Sequence, residues 1–246
     1  MLSLWRVQLD QHLPATTLSG LGVEGVLYSL VGNTLVYTDG QYLGNLGERM
    51  RLEEENAQAI RFRECGNITI TLAHRSYAAD LLWMTAHQDN HATGEVSITK
   101  HRDDAAWHTV GEGTHLRRVA EIPTPRGAII HCGETHNIPG GISSWPPHAS
   151  QEDIERFTNG ETTWNEVMWF ACSAPGIADL RGIYTGGTLV RKYQEIRNGD
   201  AHAMPLGSHA IHGGPGASMV YVWGYCGTAL QKTYNQAADD LGVYRK

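Results

Sequence analysis

The sequence predicts an all-β fold of short strands, curled into barrels or stacked as double sheets, and three observations carry that prediction. The 28 glycines and nine prolines punctuate short apolar runs, the pattern of strands divided by turns. Apolar and polar side chains alternate most clearly in Asn67-Ile68-Thr69-Ile70-Thr71-Leu72, which reads as a strand with one wet face. Helical periodicity is scarce. Only Gln151–Thr158 and the tail Asn235–Leu241 read as helices, too few for a parallel sheet with crossover helices.

In the first half, strands are expected at Gly25–Leu30, Thr34–Tyr37, Ala59–Arg63, Ile68–Ala73, Leu81–Ala86 and Glu95–Lys100. Asp39-Gly40 is a hairpin turn sequence. The charged stretch Glu48–Gln58 reads as a solvated turn or short helix. Near Trp107 the chain restarts: Gly111-Glu112-Gly113 is a flexible turn, Thr114–Ile122 a strand, and Pro123-Thr124-Pro125 a stiff break. A boundary near residue 108 divides the chain into domains 1–107 and 108–246. Further strands follow at Ala128–Thr135, Gly141–Trp145, Glu166–Cys172, Gly182–Tyr184, Thr188–Tyr193, Ala201–Met204, His209–His212 and Met219–Tyr225.

Composition excludes several classes. With 246 residues and 41% hydrophobic content the chain can fill cores. Its formal charge is −7 and its 19 Lys and Arg are scattered, so a basic nucleic-acid surface is not expected. Cys65, Cys132, Cys172 and Cys226 stand far apart without a CxxC spacing, which suits reduced thiols and a cytoplasmic location. Met1–Arg6 lacks the basic head and apolar core of a secretory leader, and no run approaches the ~20 apolar residues of a membrane span. No GxGxxG, phosphate loop or GxSxG elbow occurs.

Three metal-capable side chains stand out. His148 follows Pro146-Pro147, whose fixed φ makes the segment rigid and extended. Glu166 is a lone carboxylate beside Trp164, Val167, Met168, Trp169 and Phe170, an apolar strand where a charge is out of character. His209 opens an apolar run after Gly199-Asp200, Pro205 and Gly207. Singly, each has a bland reading as a turn or strand residue; together they lie on separate strands that a barrel can bring to one point. Trp145, Trp164, Trp169 and Trp223 read first as packing, and Tyr221 and Tyr225 alternate with Trp223, so that one set faces inward. Arg181 and Arg191 are possible clamps for a sugar acid's carboxylate, against the commoner reading as surface arginines.

The run Gly133-Glu134-Thr135-His136-Asn137, Pro139-Gly140 and Ser143-Ser144-Trp145-Pro146-Pro147-His148 closely resembles the 5-deoxy-glucuronate isomerases of bacterial inositol breakdown. These share a larger family with the pectin-pathway uronate ketol-isomerases, and both are cupins. The resemblance extends over roughly residues 108 to 227, through Asn165-Glu166-Val167-Met168-Trp169-Phe170, Gly199-Asp200 and Pro205-Leu206-Gly207-Ser208-His209. It implies a bicupin of two β-barrels with a degenerate first barrel, and a divalent metal ion (Zn, Mn, Fe or Ni) held by His148, Glu166 and His209. The family's second histidine is replaced by Ser150, which removes one strong donor and leaves the metal weak or lost. The implied activity is aldose–ketose isomerisation of a sugar acid; for the base the sequence offers His212, His136 and a metal-bound hydroxide as candidates, in that order. Two rivals accompany it: a cupin that binds a small sugar acid without turning it over, and a cupin dioxygenase. The expected partners are a small sugar-acid substrate and further copies of the chain, since open sheet edges invite pairing; nucleic acid and membrane are not expected.

Overall fold

The computed structural model describes residues 2–63, 65–87, 97–101, 106–125, 127–150, 166–185, 188–204, 208–226 and 234–236. Within these, the side chains of 48, 97–101, 106, 146–150, 181–190, 208 and 234–236 lie outside the description. The expected helix Gln151–Thr158 also lies outside it. Nineteen described strands run in order: β1 Leu2–Asp10, β2 Ala15–Ser19, β3 Val23–Thr38, β4 Gln41–Arg49, β5 Ala59–Arg63, β6 Asn67–Leu72, β7 Ala78–His87, β8 Ser97–His101, β9 Ala106–Val110, β10 Arg117–Glu121, β11 Ile130–Asn137, β12 Ile142–Ser150, β13 Glu166–Cys172, β14 Gly176–Thr185, β15 Thr188–Ile196, β16 Ala201–Met204, β17 Ser208–His212, β18 Met219–Cys226 and β19 Tyr234–Gln236. Asn235 and Gln236 thus lie in a strand paired with β12 rather than in a helix, and 237–241 lie outside the described residues. No described helix is long and apolar enough to cross a membrane.

Two compact units result, one of Leu2–Ala106 with Ala120–Gly133, the other of Trp107–Val119 with Glu134–Lys246. In the first, β1-β7-β3-β5-β8 form one curved path and β2, β6 and β4 join through the second half of β3. β3 can serve both because it is a single 16-residue strand with register shifts at Ser29/Val31 and Gly32/Asn33. Gly32 sits at φ +95°, where a side chain is strained, and this bend is what the sequence shows as two separate strands. Asp39 and Gly40 both take positive φ, 46° and 81°, the twist that a two-residue hairpin requires.

The core of this unit is the inner face of both sheets: Leu27, Val36, Ile60, Phe62, Ile68, Ile70, Leu81 and Trp83. Phe62 and Trp83 meet edge to face at 5.9 Å, and a Cβ on Gly25 would overlap the Trp83 indole. Gly25→Val should therefore displace the ring and lower stability by about 1–3 kcal/mol. Denaturant unfolding checks this, and an unchanged midpoint would contradict the packing described. The charged stretch after β4 is not simply solvated. Arg49 is 1% exposed and donates to the carbonyls of Ser29, Leu52 and Glu54, so a buried guanidinium stitches that turn together.

The second unit pairs a sheet ordered β16-β13-β18-β11-β10-β9 with one ordered β15-β14-β17-β12-β19. Met168, Phe170, Met204, Met219, Tyr221 and Trp223 from the first sheet meet Ala178, Leu180 and Ile211 from the second in one core. That core defines the interior face against which each candidate residue can be placed.

Candidate functional site

Side chains alternate across a strand, so membership of the core fixes which residues point inward. On β17, Ile211 is in the core; His209, two residues away, shares its face and is 4% exposed. Its partner across β14 is Leu180, another core residue. On β13, Met168 and Phe170 are core, and Glu166 lies on the same face one repeat earlier. The two candidates meet: Glu166 Oε2 lies 3.8 Å from His209 Nε2, with the side chains 15% and 5% exposed. Met204 is the direct partner of Glu166 across β16. A carboxylate and an imidazole therefore face each other at one end of an apolar interior.

His148 belongs to β12, which pairs with β17 so that His148 lies directly opposite His209 in register. The pairing breaks between Ser143 and His148, and Pro146 and Pro147 fall in that gap, where no ladder N–H is needed. Ser144 takes φ 51° there, an unusual left-handed conformation for serine. The corner is held by polar contacts: Ser143 Oγ accepts from Asn137 Nδ2 at 3.0 Å and from the Tyr221 hydroxyl at 2.9 Å. Trp145 stacks flat on His115 at 5.1 Å, a packing role of the kind its sequence suggests.

Neither histidine offered as a base shares the interior face. His212 is three residues after His209 on a strand whose register with β14 is unbroken, so it emerges on the opposite side. His136 precedes Asn137, whose amide reaches inward to Ser143; its own ring is bound through Nε2 to the fully buried Glu134 and lies edge-on to Trp107 at 4.8 Å. Arg191 is committed elsewhere, donating two hydrogen bonds to Asp179 at 2.8 and 2.7 Å. Arg181 sits opposite it in register, its side chain outside the description. Trp164, Pro205 and Gly207 are likewise outside the described residues.

The aromatic run on β18 differs from expectation. Tyr221, Trp223 and Tyr225 are spaced by two and so share one face, the interior one, as the partners Phe170, Met168 and Glu166 show. The sequence leaves open which of the three turns inward; the register brings Tyr225 opposite Glu166 on the interior face. The four cysteines are free thiols. Burial, with a smaller contribution from Asp200, pushes the Cys172 thiol up, which makes it a poor nucleophile.

The donors present suit a divalent ion of the zinc, manganese, iron or nickel kind. A cation held at ~2.1 Å by one nitrogen and one oxygen brings them to about 3–3.5 Å, so Glu166 and His209 need close by only a few tenths of an ångström. Among the described residues there is no group of three His, Cys, Asp or Glu placed to hold a metal; the described pair supplies two donors.

Several comparisons bear on this arrangement. An IolB-like protein of Salmonella typhimurium LT2 is 19% identical, with 95% of this chain and 86% of that one covered at a TM-score of 0.75. YlbA of E. coli gives 12% identity, 94% and 79% coverage and a TM-score of 0.55. The oxalate decarboxylase of Bacillus subtilis, which has Mn(II) centres, gives 10%, 94% and 70%, and 0.57. Among curated proteins there is no match. At these identities the likenesses show the fold, an all-β bicupin. The KduI/IolB family model matches residues 4–241, and the chain belongs to that family of sugar isomerases.

Proposed function

We propose that this protein is a divalent-cation-dependent aldose–ketose isomerase of open-chain sugar acids, with a 5-deoxy-glucuronate-like uronate of inositol breakdown as its substrate. The observation that carries the reading is the 3.8 Å approach of Glu166 and His209 on the barrel's interior face. His148, opposite His209 in register, would be the third ligand. Ser150 in place of a second histidine leaves three strong donors, the number that catalytic sites with an open position use. When bound, the cation would supply Lewis-acid stabilisation of the negative charge that develops as a base takes the proton α to the carbonyl and returns it to the neighbouring carbon.

The protein's own residues set the conditions. Glu166 brings the negative charge that offsets a cation, and His209 a nitrogen donor held in place by burial. Leu180 and Met204, 3% exposed each, wall the pair with apolar surface, which limits water and strengthens electrostatic interactions at the site. The substrate's carbonyl and adjacent hydroxyl are the groups that fit between such donors.

The test is direct. Purified protein should carry about one transition-metal ion per chain, and NMR in deuterated water should show a hexuronate panel, 5-deoxy-glucuronate included, exchanging the α-proton while the ketose appears. Chelation should slow the reaction by roughly 10²-fold or more. Full activity in metal-free protein, or no conversion of any member of the panel, would reject the reading.

A further inference from the structure

We propose that the Tyr225 hydroxyl donates a hydrogen bond to the substrate oxygen that gains negative charge during isomerisation, which makes Tyr225 a catalytic residue of the second unit. The inference rests on the isomerase reading above and deepens it. Tyr225 is the direct antiparallel partner of Glu166, so their Cβ atoms lie about 4.5–5.5 Å apart on one face. The next two partner pairs on that face, Met168 with Trp223 and Phe170 with Tyr221, are all core residues. Tyr225 therefore points inward, at the level of the Glu166–His209 pair. Tyr225 is 6% exposed and the Glu166 side chain 15%, so this level is reachable while the layers of Phe170 and Ile211, each 0% exposed, are sealed.

The chemistry of the neighbours makes the phenol the donor. An ionised carboxylate only accepts hydrogen bonds. Leu180, opposite His209, and Met204, opposite Glu166, have no polar hydrogen to give. His212 and His136 emerge on other faces. A phenol carries one O–H on a rigid ring, and a donor set in place where charge develops needs little reorganisation as the reaction proceeds. Its reach suits the role: the hydroxyl stands at the far end of the ring, beyond the Cβ level at which strand partners touch.

Tyr225→Phe removes that one oxygen. The folded variant should keep its KM for a hexuronate within about twofold while kcat falls roughly 10²-fold, the loss typical of a single oxyanion donor. Affinity for a sugar-acid hydroxamate, a mimic of the enediolate, should fall by a similar factor, and affinity for an aldonate lacking the carbonyl should not change. Tyr225→His, which keeps an N–H donor, should recover part of kcat. A folded Phe variant with kcat and hydroxamate affinity within about twofold of wild type overturns the role of Tyr225 and leaves the isomerase reading standing. A wild type that neither converts hexuronates nor binds the hydroxamate overturns both. If the Phe variant does not fold, Tyr225→Met is read against the same outcomes.

Discussion

If the protein is the metal-dependent isomerase proposed above, His209→Ala is expected to cost it the bound ion and its turnover while leaving the fold intact. The imidazole lies 3.8 Å from the Glu166 carboxylate and is 4% exposed. Losing a group that only supports a ligand costs 10–100-fold in metal affinity; losing one of three ligands should cost more, and metal content should drop below about a tenth of an ion per chain. With the Lewis acid gone, kcat/KM should fall by about 10³-fold. The cavity left behind costs stability as well, about 1–3 kcal/mol for a buried side chain of this size, which is too little to unfold a barrel with so complete a core. Elemental analysis, kinetics and thermal unfolding on the same preparation separate these effects. A His209→Ala protein that keeps both metal and activity would show that the imidazole lies beside the site rather than in it.

The compact apolar runs Ala59–Arg63 and Glu166–Cys172 announce strands with the limits the structure gives them, and the strand expected at Ile68–Ala73 lies one residue earlier, at Asn67–Leu72, because local pattern and burial agree there. They disagree elsewhere. β1 is not among the expected strands although Trp5-Arg6-Val7-Gln8-Leu9-Asp10 alternates; Trp5 shares the face of Val7 and Leu9 through an unbroken register with β7, yet it is 60% exposed where they are buried. β12 runs on through Pro146 and Pro147 only because its ladder is interrupted at that point; a pair of prolines otherwise reads as an end. The convergence of Glu166 and His209 was legible from residue type and order. The exclusion of His212 from the interior was not, since it depends on knowing which parity of β17 faces the core, and that is fixed by the partners of Ile211 on other strands.

A second large effect is expected in the first unit, at a buried ion pair. Glu24 has a side chain 0% exposed and accepts hydrogen bonds from Arg61 Nη1 at 2.5 Å, from Ile129 N at 2.8 Å and from Ile130 N at 3.0 Å. Arg61 is 4% exposed and also donates to the Ile130 carbonyl at 2.7 Å, so the pair fastens the Ile129-Ile130 segment to β3 and β5. The two partners are not equally indispensable. Glu24 satisfies two guanidinium groups, Arg61 and, at 3.6 Å, Arg63, besides two backbone donors, whereas Nε and Nη2 of Arg61 meet no hydrogen-bond partner among the described residues, so removing Arg61 relieves unpaired groups and leaves Glu24 paired with Arg63. Breaking a buried pair by removing one partner costs about 3–5 kcal/mol, and Glu24→Leu should lie at the upper end, with two orphaned N–H groups added to the stranded guanidinium. Arg61→Met should cost less. In the double variant, Glu24→Leu with Arg61→Met, no charge is left buried alone, so the loss should be smaller than that of Glu24→Leu by itself, a coupling of more than about 2 kcal/mol. Urea unfolding of the four proteins, together with hydrogen exchange at the Ile129 and Ile130 amides, measures both. Additive losses, or protection of those two amides unchanged in Glu24→Leu, would mean that the segment is held by its apolar contacts and not by the carboxylate.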